Sequence, residues 1–521
     1  MKKVEFLSDI LSQGKMFKNK SNRFTDVYYV ENSGESAFAE CSKRLLENGY
    51  IKRKESYFGE GHLFEAFEGN GEGLFLNFFK NTNTLSLVLE KDCRYFEFSD
   101  NLGPITAKPQ ITQVHLEDFG MSYVVRLSDS RFIVIDGGRE FEPDADRLYE
   151  CLKSGTEDEK PVIAAWIMTH PHSDHFHCFM KFWDKYGKDV AIERFLYNFP
   201  EHDDEEHYPA IKKKDWRFED SSIYTNIPLM EKRVVESGAK VYMPHTGQRY
   251  TIGDAVIEIL SSIDDTVHKS QNVNAASLVM RMVLGGQVIL WSADASYSDA
   301  MLVERYSSYL KADILQIPHH GFQSGSFEAE IAGYEIIKPK VCFLPVSEYN
   351  AYIAFCANRP SARHIMERMD IDELITGDIT RTITLPYTAP ASAKYEYKQK
   401  LSDGVMSNGS KSWVYMGLNT SVKEDFEYSV LNMTHSAARV WVEIYYEGAA
   451  DIIRYITINL SPMTYKNVNI VGEEADGDAL FFNWMSLKSK GVPENKNFAV
   501  RFLSDMEIVV KHKIHKEAYH M

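Results

Sequence analysis

Six consecutive residues, His170-Pro171-His172-Ser173-Asp174-His175, place three imidazoles and one carboxylate directly behind the apolar run Val162–Met168 and Thr169. At the exit of a strand, imidazoles two residues apart can approach one cation from the same side. A carboxylate and a further imidazole on the next turn can reach a second. Left without a cation, so many polar groups at the end of a buried strand would be costly to desolvate. The spacing therefore predicts a divalent-metal site.

Three later or earlier runs end in the same kind of side chain. Phe132-Ile133-Val134-Ile135-Asp136-Gly137-Gly138 ends in a carboxylate and two glycines, Val288-Ile289-Leu290-Trp291-Ser292-Ala293-Asp294 in a carboxylate, and Ile314-Leu315-Gln316-Ile317-Pro318-His319-His320-Gly321 in paired histidines. With the H-x-H-x-D-H segment, their order resembles the metallo-β-lactamase fold superfamily over about residues 111–390. The resemblance implies an α/β fold, the metallo-β-lactamase αββα sandwich. It also implies that Asp136 supports the metal loop and that Asp294 bridges two metals, although most members have Gly-Asp where this chain has Ala293-Asp294. The Pro-His-His-Gly form and Asn274-Ala275-Ala276-Ser277-Leu278-Val279 are similar to a narrower branch, the hydrolase domain of bacterial competence DNA-uptake proteins and the phosphorylcholine esterases. Further on, Asn358-Arg359-Pro360 stands where that branch has Gly-His-Pro, so a role of the absent imidazole is not carried over.

The resemblance implies that His170, His172 and bridging Asp294 hold the first metal, completed by solvent, and that Asp174, His175, Asp294 and His320 hold the second. His319 is left to contact substrate beside Asn274, and Asp174 belongs to both the metal set and the catalytic group. β-Lactamases, glyoxalase II enzymes and lactonases of this fold add one more histidine after the strand corresponding to Ala255–Leu260. Here Ser261-Ser262-Ile263-Asp264 fills that place, and His245 of Met243-Pro244-His245-Thr246-Gly247 precedes the strand. Two zinc ions are expected, with manganese as the alternative. They would lie about 3.5–4 Å apart and lower the pKa of water to near neutrality. His172 stands where the flavin-linked di-iron branch has a carboxylate, which argues against redox chemistry. The expected activity is a metal-dependent phosphodiesterase or phosphoester hydrolase on a small or zwitterionic substrate. The alternatives are a carboxyl-ester, lactone or thioester hydrolase and a metal-stabilised binding scaffold.

The length of 521 residues predicts three domains. Residues 1–110 read as a small α/β domain, with a strand at Thr25–Val30, a helix at Ser36–Asn48 stopped by Gly49, and strands at Leu63–Phe67 and Leu74–Val88. Residues 111–390 alternate buried strands with helices, including Asp144–Lys153, Ala300–Leu310 and Ala362–Met369. Residues 391–521 show only strand-like runs, such as Val440–Tyr446, Ile453–Leu460, Ala499–Leu503 and Ile508–Ile514, and predict a β-sandwich-like accessory domain.

Charge narrows the partners. Residues 1–110 and 391–521 each carry 15 basic and 16 acidic side chains, which leaves −15 of the net −17 to residues 111–390. That excess disfavours long nucleic acid as substrate. The scattered cysteines, Cys41, Cys93, Cys151, Cys178, Cys342 and Cys356, contain no C-x-x-C and read as reduced thiols. The first residues lack an apolar signal core and no run approaches a membrane span, so a cytoplasmic location is expected, without a membrane partner. Oligomeric state is not legible. His177, Cys178, His245 and His268 read as packing or loop residues, Glu201–His207 as a solvated loop, and Tyr445-Tyr446 and Phe481-Phe482 as sandwich core.

Overall fold

A computed structural model of the chain describes residues 4–93, 96–118, 120–200, 222–265, 273–296, 301–322, 327–347, 370–394, 412–432, 438–448, 454–461, 464–469, 495–504, 508–512 and 519–520. His268, Glu201–His207, Asn358–His364, Ala362–Met369, Cys356 and Phe481-Phe482 lie outside them. The chain divides into two compact units, Met1–Ala351 with Pro360–Tyr397 and Tyr352–Arg359 with Lys398–Met521. No described helix is long and apolar enough to cross a membrane.

The larger unit begins with an antiparallel six-stranded sheet. Its strands lie side by side in the order Lys15–Asn22, Thr25–Glu31, Thr84–Lys91, Glu72–Phe79, His62–Gly69 and Ile51–Phe58. Alternation along Glu72–Phe79 sends Leu74, Leu76 and Phe78 to the face covered by helix Glu35–Glu47, and Phe75 to the opposite face. The two strands with no signal in the sequence, Lys15–Asn22 and Ile51–Phe58, are the sheet edges. They carry Lys15 and Lys18, and Lys52, Arg53 and Lys54, charges that blunt a free edge and hide its apolar period.

Two mixed sheets follow. In the first, Val162–Ile167 runs parallel to Phe132–Asp136 on one side and Arg194–Leu196 on the other. In the second, Gln287–Trp291, Ile314–Gln316, Val341–Leu344 and Glu373–Thr376 are parallel neighbours. Central parallel strands are buried on both faces, which accounts for the nearly unbroken apolar runs. One apolar cluster takes Tyr123, Ile133, Ile135 and Ile167 from the first sheet and Ile257, Met280, Trp291 and Phe343 from the second, so the sheets pack face to face. Tyr123 sets its ring edge-on to Trp291 at 4.9 Å between centroids. Helices Glu142–Ser154 and Ser173–Tyr186 cover the other face of the first sheet, where Phe179 and Phe182 meet Trp166 at 4.9 and 5.1 Å. Deleting Trp166 would cost about 3–5 kcal/mol.

The N-terminal sheet joins these layers through buried ionic groups as well as apolar contact. The His245 ring is sealed from solvent, with Nδ1 2.5 Å from Asp264 Oδ2 and Nε2 3.0 Å from Glu90 Oε2. Burial opposes its charge, but the two carboxylates win and push its pKa up to about 9. Beside it, Arg305 pairs with Asp265 at 2.8 Å and lies 4.0 Å above the Phe79 ring.

The smaller unit is antiparallel. A five-stranded and a three-stranded sheet share one apolar cluster containing Tyr415, Val440, Val442, Val500 and Phe502 from the former and Tyr428, Val430 and Val510 from the latter. Tyr446 belongs to this core.

A group whose folded pKa is raised stabilises fully below its unfolded value, about 6.5 for histidine, and loses that contribution as pH rises through the folded value. His245→Ala should therefore cost roughly 3–5 kcal/mol near pH 6, because Glu90 and Asp264 would remain buried without their cation. Denaturation of both proteins at pH values between about 6 and 9.5 should show the gap narrowing with rising pH; a constant gap contradicts the ion pairing.

Candidate metal centre

The ligand candidates sit at the carboxyl ends of parallel strands from two facing sheets, where open α/β folds place their crevices. Val162–Ile167 delivers His170 and His172, the helix Ser173–Tyr186 opens with Asp174 and His175, Gln287–Trp291 leads to Asp294, and Ile314–Gln316 leads to His319 and His320. His172 is the helix N-cap residue, with extended φ −90° and ψ 149°. Asp174 in the first helical turn is favoured by the exposed amides and dipole there.

Two donor sets form around one carboxylate. Asp174, His175, Asp294 and His320 are all buried, and His170, His172 and Asp294 form the second set; within each, one ligand atom per residue lies within 4.8 Å of the others. Asp294 faces both ways. Its Oδ1 is 3.2 Å from His175 Nε2 and 3.5 Å from His320 Nε2, and its Oδ2 is 3.7 Å from His170 Nε2. His320 Nε2 lies 3.1 Å from Asp174 Oδ2, and His170 Nε2 lies 3.1 Å from His172 Nδ1. Among the described residues, His175 Nε2 and Asp294 Oδ1 make no hydrogen bond although both are buried. Orphaned buried donors converging on one point are what a cation would satisfy, so the donor set fits a divalent metal.

Asp136 orders the cluster from behind. Its carboxylate accepts hydrogen bonds from Thr169 N at 2.7 Å and Thr169 Oγ1 at 2.8 Å, and lies 2.8 Å from His175 Nδ1. The bond fixes which imidazole nitrogen of His175 turns toward Asp294. Burial lowers the His170 pKa well below its usual value. Burial also opposes charge on His175 and His320, but Asp294 and its neighbouring carboxylates outweigh it; His175 is held well above its usual value and His320 is pushed up to about 9. Asp174 and Asp294 are held low against burial by those imidazoles.

The loops are strained where the ligands leave their strands. Asp136, Ala293, His319 and His320 have φ of 56°, 48°, 48° and 51°. The left-handed region costs a non-glycine residue roughly 1–2 kcal/mol, and such strain concentrates at functional sites. It also explains Ala293-Asp294: the position adopts a conformation that favours glycine, and here alanine is held there by Gln316. The Gln316 Oε1 accepts hydrogen bonds from Ser292 N at 2.9 Å and Ala293 N at 2.7 Å. Sequence reasoning missed this residue; a buried amide inside the apolar run Ile314–Ile317 was the signal.

His319 differs from its neighbours. Its side chain is 24% exposed, and its Nε2 lies 3.2 Å from Asn274 Nδ2 and 3.9 Å from Asp294 Oδ2, at the margin of the donor set. Burial on its inner side lowers its pKa to about 4. Ser277 Oγ accepts from Asp294 N at 3.3 Å. Away from the cluster, His177 is 2.7 Å from Asn226 Nδ2, Cys178 is buried, and His245 is occupied by Glu90 and Asp264.

Residues 116–256, which include Asp136 and the H-x-H-x-D-H segment, match the sequence profile of the Metallo-beta-lactamase superfamily. Over those residues the chain is similar to the Metallo-beta-lactamase superfamily. Among solved structures, the chain is similar to Igni18, a metallo hydrolase from the hyperthermophilic archaeon Ignicoccus hospitalis, at 12% identity and TM-score 0.30, over 53% of this chain and 99% of that one. A metallo beta lactamase from Hirschia baltica is similar at 12% identity and TM-score 0.19, over 44% and 71%. The Anabaena sensory rhodopsin transducer shares 18% identity at TM-score 0.15, over 20% and 80%. No curated protein matches the chain.

Metal retention by this donor set should depend on Asp136. Asp136→Ala frees the His175 ring, and chelator competition should show zinc affinity lowered about 10–100-fold; an unchanged affinity contradicts the orienting role.

Proposed function

We propose that the metallo-beta-lactamase domain, formed by about residues 111–390 and layered as an αββα sandwich, is a two-metal phosphoester hydrolase acting on a small phosphodiester. Residues 1–110 and 391–521 are its N-terminal α/β and C-terminal β-rich domains. The observation that carries this reading is the split of the Asp294 carboxylate, with Oδ1 toward His175 and His320 and Oδ2 toward His170. One carboxylate serving two donor sets is the arrangement used to hold a pair of cations across an attacking and a leaving oxygen.

In this reading His170, His172 and Asp294 hold one ion, and Asp174, His175, Asp294 and His320 hold the other. Zinc suits the imidazole-rich set, and manganese is the alternative. When bound, the ions supply activated water near neutral pH and draw charge from a phosphoryl oxygen. The chain's own residues do the rest. Asp174 is held ionised and presents Oδ2 to His320. His319, neutral near pH 7 and partly exposed, can direct one ring nitrogen at a substrate oxygen, with its ring placed by Asn274. The surplus of −15 over residues 111–390 favours a small substrate over a long polyanion.

Zinc-loaded protein assayed in parallel on a phosphodiester, a lactone and a thioester reporter should turn over the phosphodiester fastest. His319→Ala should lower kcat about 10²–10³-fold, the range for removal of one positioned hydrogen-bond donor to a substrate oxygen, while zinc content stays unchanged. Turnover of lactone or thioester without phosphodiester cleavage favours the carboxyl-ester class. Zinc binding with no turnover of any reporter leaves the scaffold reading.

A further inference from the structure

We propose that the N-terminal sheet is a positioning element of the metal centre, with Glu90 acting through His245 and Asp264 on the two short turns that support Asp294 and His319. The inference rests on the metal-site reading above and adds a role for residues that touch no ligand.

The path can be followed atom by atom. Near the turn between strands Lys15–Asn22 and Thr25–Glu31, Ser21 Oγ donates to Asp264 Oδ1, and Asn22 Nδ2 donates to Asn198 Oδ1 at 3.1 Å and to Phe199 O at 3.3 Å. Asn198 Nδ2 in turn donates to Pro244 O at 3.0 Å, next to His245. Asp264 is thereby gripped by Ser21, by His245 and by Ser262 Oγ at 3.0 Å. Its neighbour Asp265 pairs with Arg305 and accepts from Thr246 Oγ1 and Ser262 N. These two carboxylates end the single turn Ile263–Asp265, which touches the single turn Val273–Ala276.

From that second turn three contacts enter the metal centre. Asn274 reaches His319, Ser277 Oγ receives the Asp294 amide, and Leu278 N donates to Thr169 O at 3.0 Å, one residue before His170. Displacement of the turns would therefore move the shared carboxylate, the partly exposed histidine and the start of the metal loop together.

Adhesion alone does not require this chemistry. The same junction already has Phe64 and Phe75 in its apolar cluster, with Phe79 under Arg305. Replacing a buried ion pair by apolar side chains of similar size is often neutral or stabilising. What Glu90, His245, Asp264, Asp265 and Arg305 add is directionality: each partner is satisfied in one register of the sheet on the turns and abandoned in a slipped one.

The test compares Glu90→Gln, which keeps size and a hydrogen-bonding head but removes the charge on His245, with Leu87→Ala. Leu87 lies in the same sheet but in the cluster with helix Glu35–Glu47, apart from the Glu90–His245–Asp264 group. Cobalt(II) is titrated into the full-length apo chain under conditions where circular dichroism shows each variant folded, and the visible ligand-field bands are recorded. Glu90→Gln should bind cobalt at least tenfold more weakly and shift the bands, and Leu87→Ala should match wild type even if it melts at a lower temperature. Wild-type affinity and bands in Glu90→Gln overturn the inference while leaving the metal site intact, as does an equal change in Leu87→Ala. Failure of the wild-type chain to bind cobalt overturns the metal-site reading and this inference with it.

Discussion

Everything in the centre depends on holding a dense group of ionisable side chains away from water in one arrangement. The His175 ring sits between Asp136 at Nδ1 and Asp294 at Nε2, with all three side chains buried. The Asp136 contact at Nδ1 fixes the rotation of the ring and leaves Nε2 as the nitrogen it offers. Because Asp136 also holds the amide and hydroxyl of Thr169, the same carboxylate fixes the start of the His170–His175 loop. The packing of Trp166, Phe179 and Phe182 behind this loop keeps the strand end and the helix start at a constant separation.

The second sheet contributes the other half of the site by a different device. Gln316 ties its own strand to the exit of the neighbouring strand, and Ala293, His319 and His320 are left-handed where the candidate ligands leave their strands. Neither half is a loop floating over a scaffold. Each candidate ligand sits in the turn or helix start that follows closely on a buried strand, so the strand fixes where the turn begins.

Much of this was legible in the sequence because strands buried on both faces read as apolar runs, and a ligand just beyond such a run can be located from the run itself. Phe132–Asp136, Val162–Ile167, Gln287–Trp291 and Ile314–Gln316 are all of this kind. Edge strands are not: Lys15–Asn22 and Ile51–Phe58 replace the apolar period with lysine and arginine. Long-range polar pairs are harder still. His245 and Glu90 are 155 positions apart, and no local pattern in either segment announces that they meet. The same holds for Arg305 with Asp265 and for Ser21 with Asp264, so the acidic surplus of the middle segment did not disclose that part of it is buried and paired.

The central claim is that one carboxylate serves two cations, and zinc stoichiometry tests it most directly. Wild-type and Asp294→Ala proteins equilibrated at the same buffered free zinc and analysed by elemental mass spectrometry should hold about two ions and less than one per chain, respectively, since the substitution removes a ligand from both sets. A wild-type chain that holds no zinc, or an Asp294→Ala chain that keeps both ions, would contradict the account.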